Sequence, residues 1–170
     1  MFTKVLGAFL VCGAGGYAGF SASARLSARV QTVGDMIKAL EFMQNEITYT
    51  KTSMAGIVQS LANTAQGGAK YFFERLGESM NRLWETGFGS LWQECVQVQR
   101  HINQSDKNIL IELGHVLGRY DAEIEAKNIS AAMNALDFNW QSAKQEQKKY
   151  AKMYRAFGLA FGLFVAILLF

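Results

Sequence analysis

Residues Asp121–Phe170 read DAEIEAKNISAAMNALDFNWQSAKQEQKKYAKMYRAFGLAFGLFVAILLF. This stretch has no proline, and its only glycines are Gly158 and Gly162. Its first part carries apolar residues at helical spacing: Ile129, Met133, Leu136, Trp140 and Ala143. A basic run follows (Lys144, Lys148, Lys149, Lys152, Arg155), and the last fifteen residues, Ala156–Phe170, hold no charge. A continuous helix of this length would extend roughly 75 Å at about 1.5 Å per residue. Such a helix starts in a packed bundle, passes a basic collar and ends in lipid. The pattern predicts a membrane-anchored helical protein.

Composition supports an all-α chain. The 170 residues include no proline, which long helices exclude and β-edges and turns favour. No segment alternates apolar and polar residues between turn signals. Half the residues are hydrophobic and 18% charged, a balance that favours a packed core over disorder. The net charge of +3 is unevenly placed. Residues 26–143 hold ten basic and thirteen acidic side chains, whereas residues 144–155 hold five basic ones against Glu146. Positive charge beside an apolar tail suits anionic headgroups, and nothing spreads it over a face as nucleic-acid binding requires.

The other end is also apolar. Val5–Ala24 is twenty residues without a charge, bounded by Lys4 and Arg25, which is the length a membrane-crossing helix needs. Gly15 and Gly19 have the small-xxx-small spacing of close helix pairs in lipid. The same stretch fits a secretory signal, with Ala22-Ser23-Ala24 as an A-x-A cleavage site. An exported helical protein, cleaved after Ala24 and held by its C-terminal helix alone, is therefore the alternative. Arg25, Arg29, Lys148, Lys149, Lys152 and Arg155 form the expected membrane-interface set. By the positive-inside tendency they place the central domain in the cytoplasm. The expected domains are an N-terminal transmembrane helix (5–24), a cytoplasmic bundle (26–155) and a C-terminal transmembrane helix (156–170). Fifteen residues are short for a span, so Met153, Tyr154 and the snorkelling Lys152 and Arg155 extend the last one.

Between the anchors the periodicity predicts an antiparallel bundle of about six helices. The first, about 27–52, has a stripe of Val33, Met36, Ile37, Leu40, Met43 and Ile47. Thr52 or Ser53 caps a second, which stops at Gln66-Gly67-Gly68. A third (about 69–86) carries Phe72, Phe73, Leu76, Met80, Leu83 and Trp84, and a fourth (about 88–102) Leu91, Trp92, Cys95, Val96 and Val98. Ser105 or Asp106 caps a fifth, with Ile109, Leu113, Val116, Leu117 and Tyr120, and the long sixth opens near Asp121.

Catalytic patterns are missing. His101 and His115 lack a second ligand at a metal-binding offset, and Cys12 and Cys95 form no CxxC or disulfide framework. GAGGYAG follows no strand, so it is no dinucleotide fingerprint. Neither P-loop, GxSxG nor HExxH occurs. Glu74/Glu78 and Glu123/Glu125 read as solvated helix faces. The expectation is a non-enzyme with no cofactor, metal, small-molecule substrate or nucleic-acid partner.

Three stretches carry a family resemblance: Asp106–Gly118 (DKNILIELGHVLG), Gln147–Gly158 (QKKYAKMYRAFG) and the finish Ala166–Phe170 (AILLF). Leu40-Glu41 and Glu46-Ile47 add to it. The chain resembles the stage III sporulation protein AB family of endospore-forming Firmicutes over essentially its full length. It departs from the family at Arg119-Tyr120-Asp121, where a Ser-Asp pair and then a glutamine are usual: the acid is kept, the serine is lost and no glutamine follows. The resemblance implies a helical domain similar to those of the type II secretion platform protein. It also implies a place in a channel complex of the mother-cell membrane around the forespore, with other subunits and an ATPase as partners.

Overall fold

The first and last helices frame the molecule. A computed structural model of the protein describes the backbone of residues 2–118 and 121–169 and the side chains of residues 24–118, 121–150 and 153. Helix α1 (Phe2–Asn45) continues into a π-helical turn, Glu46–Thr50. Then come α2 (Met54–Thr64), α3 (Gly67–Ser79), a 3₁₀ turn (Met80–Arg82), the four-residue α4 (Leu83–Thr86), α5 (Phe88–Val98), α6 (Gln104–Val116) and α7 (Ala122–Leu169). No strand occurs among the described residues. Among them, too, no helix is long and apolar enough to cross a membrane. The expected spans, 5–24 and 156–170, lie almost wholly outside the described side chains.

Partners along α1 rise as those along α7 fall, so the two helices run antiparallel. Ser27 meets Gln147, the Val30 carbonyl accepts from Trp140 Nε1, and Gln44 donates to the Ala126 carbonyl. The chain thus enters through α1 and leaves through α7 at one end, called here the entry end. The helices form a closed ring in the order α1, α3, α5, α6, α7, with α2 packed on α3. All ring neighbours are antiparallel except α1 and α3, which run side by side.

Local chemistry sets the breaks. The π turn ends at Lys51, whose φ of 54° reverses the chain, while Thr52 donates to the Glu46 carboxylate. Ser53 caps α2 by accepting from the Gly56 N–H. Gly67-Gly68 does more than stop α2: it opens α3 against α1. A Cβ at Gly67 would overlap the Asp35 carboxylate, and one at Gly68 would overlap Thr32. The expected single helix over 69–86 is broken, because Met80–Arg82 tightens into a 3₁₀ turn before α4. Likewise α5 ends at Val98, since Gln99 turns extended and donates to the Gly68 carbonyl. Asn103, not Ser105 or Asp106, caps α6. Its side chain accepts from Asp106 N–H, and Asp106 accepts from Asn103 N–H, a reciprocal capping box.

The core gathers around Trp92, which is fully buried and donates to the Leu110 carbonyl at 2.7 Å. Phe72 and Phe73 meet its ring edge-on, with Phe72 4.8 Å away between centroids. Helices α5 and α6 cross at glycines: a Cβ on Gly114 would strike the Trp92 indole, and one on Gly89 would come within 2.9 Å of the Gly114 carbonyl oxygen. The expected stripes lie largely inside, with Val33, Met36, Leu40, Met43, Ile129 and Leu136 all buried.

Gly114→Ala should overpack this crossing and cost about 1–3 kcal/mol. Leu136→Asp, which buries an unpaired charge, should abolish the cooperative melt. Thermal unfolding followed by circular dichroism checks both, and a wild-type melting temperature in either variant would contradict the packing described.

Candidate anchoring and docking surfaces

At the entry end a buried carboxylate joins three segments. Asp106, at the third position of α6, has no exposed side-chain surface. Arg29 of α1 approaches it with both fork nitrogens, Nε to Oδ2 at 2.9 Å and Nη2 to Oδ1 at 3.1 Å. Asn139 of α7 donates to Oδ1 at 2.8 Å, and the Asn103 N–H donates to Oδ2. Three helices are thereby tied: α1 and α7 to each other through the carboxylate, and both to the start of α6. A charge removed from water needs such saturation, since ion pairing alone does not repay its desolvation.

The next residue after Asn139, Trp140, lies across α1. Its Nε1 donates to the Val30 carbonyl at 2.8 Å, and Gly34 leaves the room, for a Cβ there would sit 3.1 Å from that nitrogen. Lys144 Nζ stands 3.9 Å above the indole centroid, a cation–π contact. Of the expected interface residues, Arg25, Lys148 and Lys149 are exposed at this end. Arg29 is there too, but its guanidinium is committed to Asp106. The side chains of Lys152 and Arg155 lie outside the described residues.

The opposite, far end differs in character. Trp84, on α4, is 94% exposed, and Tyr49, on the π turn, 82%. Sequence periodicity places Trp84 inside, so its exposure is a correction, caused by the 3₁₀ turn that rotates α4 away from the α3 stripe. Val98, placed on the α5 stripe, is also exposed. Tyr49 edges a shallow groove of about 600 Å³ between α1 and α7, floored by Ala126, Ser130 and Ala131. On α7, Phe138 is 74% exposed, facing away from the core.

No group of three His, Cys, Asp or Glu able to hold a metal occurs among the described residues. His101 and His115 are both exposed. Cys95 is buried beside the aromatic core, and burial pushes its thiol up, with the nearby Arg75 and Arg82 and a hydrogen bond from Ser79 opposing. A thiol so placed is a packing group and a poor nucleophile. Asp35 Oδ2 and Gln99 Oε1 are buried acceptors without a hydrogen-bond partner, both close to Gly67-Gly68.

The sequence model of the family described as Stage III sporulation protein AB matches residues 4–170. Stage III sporulation protein AB of Bacillus subtilis (strain 168) is 24% identical over 173 residues, covering 98% of both chains. A solved structure of Stage III sporulation protein AB (SpoIIIAB) superposes with a TM-score of 0.64 at 19% identity, covering 72% of this chain and 98% of that one. That likeness concerns the fold.

Asp106→Asn should cost about 3 kcal/mol, because it leaves the largely buried Arg29 side chain with no counter-charge. A double-mutant cycle with Arg29→Met should give a coupling above about 1 kcal/mol in urea melts. Strictly additive losses would show that the pair is not coupled.

Proposed function

The chain belongs to the stage III sporulation protein AB family, and from that premise we propose that it is a non-enzymatic membrane platform subunit. In this reading it serves a sporulation channel complex in the mother-cell membrane around the forespore. Its apolar ends, 5–24 and 156–170, hold it in one bilayer. Its bundle faces the cytoplasm and offers helical surfaces to neighbouring subunits and an ATPase.

The observation that carries the proposal is the antiparallel pairing of α1 and α7 down to Ser27 and Gln147. Both uncharged termini continue from the same end of the bundle, so one membrane can hold both. The exposed cations Arg25, Lys148 and Lys149 sit where each helix meets that end, at the height of the headgroups. The backbone of α1 is helical through Ala22-Ser23-Ala24. The remaining described features, the aromatic core around Trp92 and the exposed Trp84 and Phe138, are packing and surface.

Intact mass of the membrane-extracted protein should match the full 18.9 kDa chain, and loss of residues 1–24 would overturn the two-anchor arrangement. Orientation follows from a new thiol. In a chain with Cys12→Ser, the buried Cys95 is silent, and Ser90→Cys on the exposed face of α5 should react with an impermeant maleimide only after cell lysis. Labelling of intact cells would place the bundle on the other side.

A further inference from the structure

Trp84 is the most exposed large apolar side chain among the described residues, yet its backbone is firmly held. Leu83, the residue before it, packs against the core, and so does Phe88, just beyond Gly87. Arg82 is tied to Glu94 of α5 at 3.0 Å, and Ser79 bonds back to the Arg75 carbonyl. Gly87, with φ of 78° and open space around it, turns the chain from α4 into α5. A fixed corner therefore holds an indole out in water, where its apolar surface gains nothing from the fold. Interface hot spots have this composition: a rigid aromatic with little ordering entropy left to lose on binding.

The surrounding charge decides what covers it. Glu85 adjoins Trp84 and Glu78 lies in the last turn of α3, both exposed and without an ion pair among the described residues, while the neighbouring Arg82 is paired with Glu94. Arg75, a turn before Glu78, is the one other cation of this corner among the described residues. Elsewhere at the far end charge is mixed, with Asp121 and Glu123 exposed at the start of α7 and Lys51 and Lys127 exposed by the π turn, so the acidic character belongs to the corner itself.

The geometry points to the Trp84 corner as a docking site for a different protein, one with an apolar recess rimmed by lysine or arginine. This rests on the platform reading above, which fixes the molecule relative to a membrane. Arg25 marks the bilayer side, and α1 rises from it to Glu46 by about 30 Å, so lipid cannot reach the corner. A second copy in the same membrane carries its own corner at the same height. Contact between the two would press Glu78 and Glu85 against their equivalents, which like-charge repulsion opposes. The basic collar of a neighbouring copy lies some 30 Å lower, and the groove that Lys127 edges at a copy's far end is lined mainly by polar side chains (Gln44, Asn45, Thr48, Ser130, Asn134), which suits an indole poorly. A basic surface approaching from the bundle side meets neither obstacle.

Photo-crosslinking of the full chain in cells that make it tests the assignment, with benzoylphenylalanine at position 84 and the attachment point read by mass spectrometry. The expected product is an adduct with one other protein, attached in a lysine- or arginine-rich segment. Glu78→Lys with Glu85→Lys should lower its yield about tenfold while membrane association and melting temperature stay unchanged. An adduct with lipid, with another copy, or within an acidic or neutral segment overturns the proposal. So does a yield indifferent to the charge reversal, or no adduct at all. A carbonate wash separates the two levels: a chain released from the membrane refutes the platform reading and this inference with it. An anchored chain without the adduct refutes the inference alone.

Discussion

A carboxylate buried with no exposed surface must have its charge and lone pairs answered by protein, and at Asp106 the answer comes from three helices. Arg29 supplies the charge, Asn139 and the Asn103 backbone supply further donors, and Asp106 itself completes the cap of α6. The arrangement admits one register. Sliding α7 by a turn would remove Asn139, and rotating α1 would remove Arg29, each leaving a buried charge underpaired. Apolar packing tolerates small slips along a helix because one aliphatic contact replaces another. Directional bonds to a single carboxylate do not, and this is how a polar group fixes an otherwise slippery bundle.

The consequence reaches the ends of the molecule. With α1 and α7 in fixed register, Trp140 falls opposite the Val30 carbonyl and Gln147 opposite Ser27. Gly34 matters for the same reason, since a side chain there would push the indole off α1. The two longest helices, of 44 and 48 residues, are thereby coupled beside the point where their apolar ends begin. Lys144 stays near the bundle through the Trp140 ring, whereas Lys148 and Lys149, lying further along α7, are exposed.

Much of this was legible from residue order, and the boundary of legibility is physical. A stripe such as Val33, Met36, Leu40, Met43 recurs at the helical period, and burial follows from it directly. The family, too, could be read from Asp106–Gly118 and Gln147–Gly158. Phase errors arose where the period changed. Each 3₁₀ residue turns the chain about 20° further than an α-helical one, so Met80–Arg82 swings Trp84 from the predicted core face into water. Reading Gly67-Gly68 as a stop missed its second use, because close approach to Asp35 and Thr32 depends on where another helix passes. The Arg29–Asp106 pair spans 77 residues, and nothing in local pattern links the two. Asn103, by contrast, could have been found: an Asn three residues before an acid, ahead of an apolar run, is the capping-box signature.

The same rigidity explains why charge is separated along the bundle. The entry end exposes Arg25, Lys148 and Lys149, whereas the far end exposes Glu78, Glu85, Asp121 and Glu123 interspersed with Lys51, Arg82 and Lys127. A bundle free to tilt or repack would blur that polarity, since each surface would sample several neighbours. Here α1 spans the whole distance as one helix, α7 returns beside it, and α3 and α5 hold the Trp84 corner through Leu83, Phe88 and the Arg82–Glu94 pair. A force applied at one end is carried by hydrogen-bonded helix and close-packed core, both of which resist compression. The bundle thus holds two unlike surfaces at a constant separation and orientation, and the saturated carboxylate at Asp106 fixes the register on which that constancy depends.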